Sequence, residues 1–194
     1  MKSEELHNKI REIALTEEIQ NKINFLGSLL EDRPQGYAYE MRETFFYKYL
    51  AAATRVVAPR QVVEMGADHG ASTLAFLTGI PKESHLYSID IRDGWEFIPK
   101  DITRLTKVVG NYMDLGFWPN DLNLKETGLW FIDGEHAQDH VKEQFTLYTP
   151  FFSKGAVILL DDVISSYRDF FDTIELDKYL CDGVHGGGFG IVTI

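Results

Sequence analysis

The sequence predicts a doubly wound α/β fold, and three observations predict it. Short apolar runs rich in Val, Ile and Leu alternate with helical stretches from residue 61 onward. The first run leads into a glycine loop, VVEMGADHG at 62–70. Acids stand where these runs end: Glu64, Asp90, Asp133, and Asp161 with Asp162. Parallel sheets bind ligands at the carboxyl ends of their strands, so that edge is the candidate site.

The elements follow in order. Leu6, Ile10 and Ile13, then Ile19, Ile23, Leu26 and Leu30, recur at helical spacing, which makes 3–31 one or two amphipathic helices. DRPQGYAY at 32–39 breaks helix through Pro34 and Gly36. Residues 40–57 are helical and rich in aromatics, and Pro59 ends them. Strand candidates are 61–65, 85–90, 106–110, 128–132 and 156–160, with helices expected at 71–78, 95–104, 136–149 and 165–180. The closing GVHGGGFGIVTI is a glycine turn feeding a last strand at 189–194, expected to be antiparallel. We expect a single domain, with a helical cap over 1–57 and the α/β core over 58–194.

Composition narrows the function. A net charge of −11 and the lack of any Lys/Arg cluster disfavour nucleic acid. No apolar run reaches the roughly 18 residues of a membrane span, and the charged start, MKSEELHNKIREI, is unlike a signal peptide. A single cysteine, Cys181, fits a reducing cytoplasm and reads as a bystander. A small-molecule substrate is the expected partner. The aromatic N-terminal helices make a homodimer plausible.

The glycine loop reads E-x-G-x-x-x-G, with Glu64, Gly66 and Gly70 and with Ala67 between the glycines. It lacks the G-x-G-x-x-G of a dinucleotide site, which disfavours a nicotinamide-dependent oxidoreductase. Glu64 and Asp68 would repel a pyrophosphate but tolerate a cationic sulfonium bearing an amino group. This loop, with Asp90 twenty residues after Gly70, resembles class I S-adenosylmethionine (AdoMet) methyltransferases. The resemblance implies a Rossmann-like, mostly parallel seven-stranded sheet with an antiparallel last strand. It places Glu64, Gly66, Ala67 and Gly70 at the cofactor, Ser72 at its carboxylate, Asp90 on the ribose and Ile91 on the adenine. A helix N-terminus at Ser72 favours an anion in any case. Tyr112 and Met113, in VVGNYMD at 108–114, fall at the adenine edge, with core filling as the other reading.

Asp133, Asp161 and Asp162 come from neighbouring strand tips, and three converging carboxylates repel one another unless a cation neutralises them. Hard oxygen donors suit Mg²⁺, with Mn²⁺ or Ca²⁺ as alternatives. The rival readings are that Asp162 caps the following helix and that Asp133 alone holds the cofactor's amino group. GEHAQDH after Asp133, with the Asp161–Asp162 pair 28 residues beyond it, resembles the metal-dependent catechol-type O-methyltransferases and their bacterial relatives over roughly residues 60–165. That resemblance implies a metal at Asp133, Asp161 and Asp162. It also implies a base three residues after the first ligand, which here is His136. The family's lysine base is thus a histidine, and its asparagine ligand is Asp162. Histidine titrates near neutrality and can accept a hydroxyl proton. A solvent-facing helix-start residue is the other reading of His136. His140 would share its helical face; His69 and His185 stand in loops.

The expected reaction is AdoMet-dependent methylation of a small-molecule hydroxyl. Tyr37, Tyr39, Trp95, Trp118 and Tyr167 are candidates for a flat acceptor pocket, or for core or dimer surface. A related natural-product enzyme, an N- or C-methyltransferase and a non-catalytic AdoMet-binding protein remain as alternatives.

Overall fold

Helix α1 (Ser3–Ala14) and helix α2 (Glu17–Leu29) bury the periodic stripe at 3–31 as two separate helices. Leu6, Ile10, Ile19 and Ile23 have essentially no exposed surface. The computed structural model describes residues 1–31 and 36–194, so the first half of the helix break at 32–39, with Pro34, lies outside the described residues. From Tyr37 the chain is helical again. Helices α3 (Tyr37–Glu43) and α4 (Phe46–Val57) replace the one helix expected over 40–57. Ala58, in the left-handed region at φ 47°, turns the chain toward Pro59 and the sheet.

The sheet has seven strands: β1 (Gln61–Met65), β2 (His85–Asp90), β3 (Leu105–Val109), β4 (Thr127–Ile132), β5 (Val157–Leu160), β6 (Asp177–Cys181) and β7 (Phe189–Thr193). Their order is β3-β2-β1-β4-β5-β7-β6. Only β7 runs against its neighbours, as expected for the last strand. Successive strand residues enter opposite layers. Val62, Leu129, Phe131 and Leu159 face the N-terminal helices and α5 (Ala71–Gly79). Val63, Met65, Trp130 and Ile158 face the layer of α6 (Gln138–Tyr148), α7 (Val163–Ser166) and α8 (Arg168–Thr173). Burial on both faces is why these strands read as continuous apolar runs. Each such side chain contributes about 1.5–3 kcal/mol by leaving water.

Two expectations fail. The helix expected over 165–180 stops at Thr173, and 177–181 is β6. As an edge strand it is only partly buried and carries Asp177 and Lys178, charges that protect an edge but hide its β character in the sequence. Asp177 also accepts from the amide of Ser3, tying α1 to that edge. No helix forms over 95–104. Instead Trp95, Phe97 and Ile98 are buried beneath the glycine loop, where Gly94 lies so near the Asp68 carbonyl that a Cβ would sit 2.2 Å from it. Cys181 is buried and its thiol is pushed up to about 12 by burial, an inert core residue.

Candidate functional site

The parallel ladders run one residue past each strand end. The amide of Gly66 donates to Ile89 O, that of Asp133 to Met65 O, and that of Asp161 to Ile132 O. These bonds bring Gly66, Asp90, Asp133 and Asp161 to one edge of the sheet. A cavity of about 450 Å³ opens there, within the ~300–1,000 Å³ usual for small-molecule sites.

The glycine loop forms one wall. Gly66 and Gly70 both have φ 90°, and Asp68 has φ 43°. Asp90 Oδ2 holds this turn by accepting from the amides of Ala67 at 2.9 Å and Asp68 at 3.0 Å. A Cβ on Gly66 would lie 2.1 Å from the Asp133 carbonyl. Gly66→Ala therefore combines left-handed strain with a backbone clash between β1 and β4. We expect a loss of about 2–5 kcal/mol and of ligand binding, read by urea unfolding and calorimetry. A stable, ligand-competent Gly66→Ala protein would contradict this account of the loop.

Of the expected cofactor residues, Gly66, Ala67, Ser72, Asp90, Ile91, Tyr112 and Asp133 line the cavity. Ile91 is exposed at its rim, an apolar side chain presented to solvent. Gly70 stands behind the wall and packs on Ile98. Met113 points away into a second, shallow groove with Leu147, because the chain has turned outward past Tyr112.

Glu64 is a correction. It has no exposed surface and lies beneath the loop rather than in the cavity. Its carboxylate accepts from Ser72 Oγ and Thr73 Oγ1, both at 2.6 Å, and from Ser88 Oγ. It anchors the start of α5 to β1 and β2. Burial raises its pKa from 4.5 to about 6, against the lowering by Ser72, Ser88 and Thr73. A folded pKa above the unfolded one stabilises fully below pH 4.5 and is lost as pH rises through about 6. The loss amounts to about 2 kcal/mol. Urea unfolding of Glu64→Gln should show a stability–pH slope flatter by that amount; an identical slope would disprove it.

The second half of the site surrounds His136, which stands on the loop before α6. Its Nε2 lies 3.2 Å from Asp133 Oδ1 and its Nδ1 2.7 Å from Asp162 Oδ2. Both ring nitrogens face carboxyl oxygens, an arrangement that favours the doubly protonated ring. The Asp133 hydrogen bond raises its pKa to about 9. Burial in turn drives the Asp133 carboxyl above the usual range, opposed by His136. His136 thus faces the site rather than solvent. Because it precedes α6, it shares no helical face with His140, which instead meets the Tyr112 hydroxyl at 3.3 Å.

Asp161 is buried at the tip of β5, and Asp162, at φ 56°, turns its side chain back toward it. His185 joins them: its Nδ1 is 2.8 Å from Asp161 Oδ1 and 3.6 Å from Asp162 Oδ1. One ligand atom from each of Asp161, Asp162 and His185 falls within a 4.8 Å group. In the sequence His185 reads as a loop residue, and the signal for its placement is the run of three glycines that follows it.

The aromatic pocket also needs correcting. Of the five candidates only Tyr37 lines the cavity, with its hydroxyl donating to Asp68. Trp95 is buried and donates to Ser88, Trp118 and Tyr167 pack in the core, and Tyr39 faces solvent. Phe46 and Tyr47 supply the remaining aromatic wall. They were hidden in the sequence because α4 buries residues on all sides.

Solved structures place this architecture. A putative caffeoyl-CoA O-methyltransferase from Staphylococcus aureus is 15% identical, with a TM-score of 0.62 over 88% of this chain and 97% of its own. The O-methyltransferase TomG from Streptomyces achromogenes, solved with SAM, is 17% identical, with a TM-score of 0.60 and full coverage of both chains. MycE, a methyltransferase of the mycinamycin pathway solved with Mg and SAH, is 15% identical; the match covers 89% of this chain and 54% of MycE at a TM-score of 0.55. At these identities the likeness is one of fold. No curated protein matches by sequence. Residues 63–163, from β1 through the Asp161–Asp162 pair, match the family described as "Methyltransferase domain". That segment is more than half of the chain and contains the glycine loop and the strand-tip acids, so the protein belongs to the methyltransferase-domain family and is an AdoMet-dependent methyltransferase.

Proposed function

We propose that the protein methylates a hydroxyl group of a small molecule and that a divalent cation assists it. The observation that carries this reading is the meeting of His136 with Asp133 and Asp162, and of Asp161 and Asp162 with His185, at the strand ends beside the cavity. The donor set fits a cation: Asp161, Asp162 and His185 each offer a ligand atom within one 4.8 Å group, and the charges of Asp161 and Asp162 add to the burial that raises the Asp133 carboxyl beside them. TomG, an O-methyltransferase, and MycE, solved with Mg, share the fold.

Asp90 uses Oδ2 to shape the loop, accepts from the Arg92 amide at Oδ1, and keeps a remaining lone pair on Oδ1 for a ribose hydroxyl. Ile91 would pack on the adenine, Ser72 would meet the methionyl end where α5 begins, and Asp133 would receive the amino group. Tyr37, Phe46 and Tyr47 close the opposite wall and exclude water. When bound, a divalent cation lowers the pKa of the acceptor hydroxyl and orients it. His136 would take the proton of the acceptor hydroxyl, and bound AdoMet would supply the methyl group and depart as S-adenosylhomocysteine.

The test is calorimetry of AdoMet with EDTA-treated protein, repeated with Mg²⁺ and a catechol probe. AdoMet should bind without metal, and the probe only with it. Probe binding that ignores metal would remove the cation from the reaction, and methyl transfer to an amine probe but no hydroxyl would overturn O-methylation.

A further inference from the structure

We infer that His185 is a nitrogen ligand of the cation centre and that this centre selects a first-row transition ion over Mg²⁺. The inference rests on the cation reading proposed above and adds to it a residue and a metal class.

The turn that carries His185 is shaped around the carboxylates. A Cβ on Gly187 would lie 1.7 Å from Asp162 Oδ1, and one on Gly188 would lie 2.4 Å from Ile164 Cγ1. The Gly187 carbonyl accepts from the amides of Ile164 at 2.8 Å and Ser165 at 2.9 Å, and Gly188 O accepts from Val163 at 3.1 Å. The 185–188 turn is therefore stitched to the start of α7, directly after Asp161 and Asp162. Only glycine allows that approach at 187 and 188, which accounts for the last two glycines of the GGG that follows His185. The Phe46 ring, at 4.8 Å between centroids and 32° between planes, backs the imidazole from the cavity side.

The spacing fits a shared ion. Two ligands at right angles around a cation about 2.1 Å away stand about 3.0 Å apart. His185 Nδ1 already stands 2.8 Å and 3.6 Å from the nearer oxygens of Asp161 and Asp162. Mg²⁺ takes oxygen donors, whereas an imidazole among carboxylates is better suited to first-row transition ions, with Mn²⁺ the hardest of them and so the most stringent probe of the preference. His136 has a different place, bridging Asp133 and Asp162 through both nitrogens, and stays the base.

Mn²⁺ is the probe, added to EDTA-treated protein with S-adenosylhomocysteine present and compared with Mg²⁺ by calorimetry. Pulsed EPR of the Mn²⁺ complex reads nitrogen ligation directly. We expect tighter binding of Mn²⁺ than of Mg²⁺, and a ¹⁴N coupling that His185→Gln abolishes and His136→Gln retains. His185→Gln should weaken Mn²⁺ by about tenfold or more while changing Mg²⁺ far less. A wild-type Mn²⁺ complex without nitrogen coupling, or one whose coupling survives His185→Gln, would overturn the ligand role and leave the oxygen site standing. Binding of neither ion would overturn the cation reading itself. Thermal unfolding of the metal-free variant separates a failed fold from a lost ligand.

Discussion

Replacing His136 with glutamine is expected to lower kcat by about 10²–10⁴-fold, with AdoMet affinity little changed. Glutamine keeps the polar reach toward Asp133 and Asp162 but cannot accept the acceptor's proton. The pH profile identifies the role. The Asp133 hydrogen bond holds the imidazolium up to about 9, and only the neutral ring is a base, so activity should climb with pH as that proton leaves. A cation that shares Asp133 and Asp162 draws their charge from the ring and moves this rise toward neutrality. Single-turnover rates across pH should show the rise in the parent and a flat response in His136→Gln. A variant that loses rate equally at every pH would mark His136 as structural.

The second large effect is expected at Asp133. Asp133→Asn should cut turnover by about 10²-fold or more through loss of a charge-bearing ligand and of the group that orients His136. Stability should move the other way. Burial already disfavours the ionised carboxyl of Asp133 beside Asp161 and Asp162. An amide removes that repulsion, so the metal-free variant should unfold at a temperature no lower than the parent. The His136 resonance, followed by NMR, should titrate below its parent value. If Asp133→Asn unfolds easily and His136 titrates as before, the charge cluster is not organised as described.

Much of this site was legible because parallel strands put their ends at one edge. Glu64, Gly66, Asp90, Asp133 and Asp161 could each be read as a strand-tip residue, since an apolar run that gives way to an acid or a glycine marks a strand end. The helix–strand errors arose where the pattern was weak. Edge strand β6 is partly exposed, and 95–104 is apolar because it underpins the glycine loop. Periodicity has no means of separating those cases from amphipathic helix. Glu64 was assigned to the cofactor because an acid at a strand tip and an acid beneath it look alike in one dimension. The three hydroxyls that claim it lie on two elements, α5 and β2.

By itself, the sequence determined the alternation of strands and helices, a glycine loop that lacks the dinucleotide fingerprint, and the acids at the strand ends, because these depend on local spacing and burial. Tertiary structure decided which groups meet. It brought His185, 24 residues beyond Asp161, to 2.8 Å from it, and drew Phe46 and Tyr47 from the helical cap into the cavity wall. It also sent Met113 outward, one residue past Tyr112. Such contacts depend on how the layers close over the sheet, and no spacing along the chain encodes that distance.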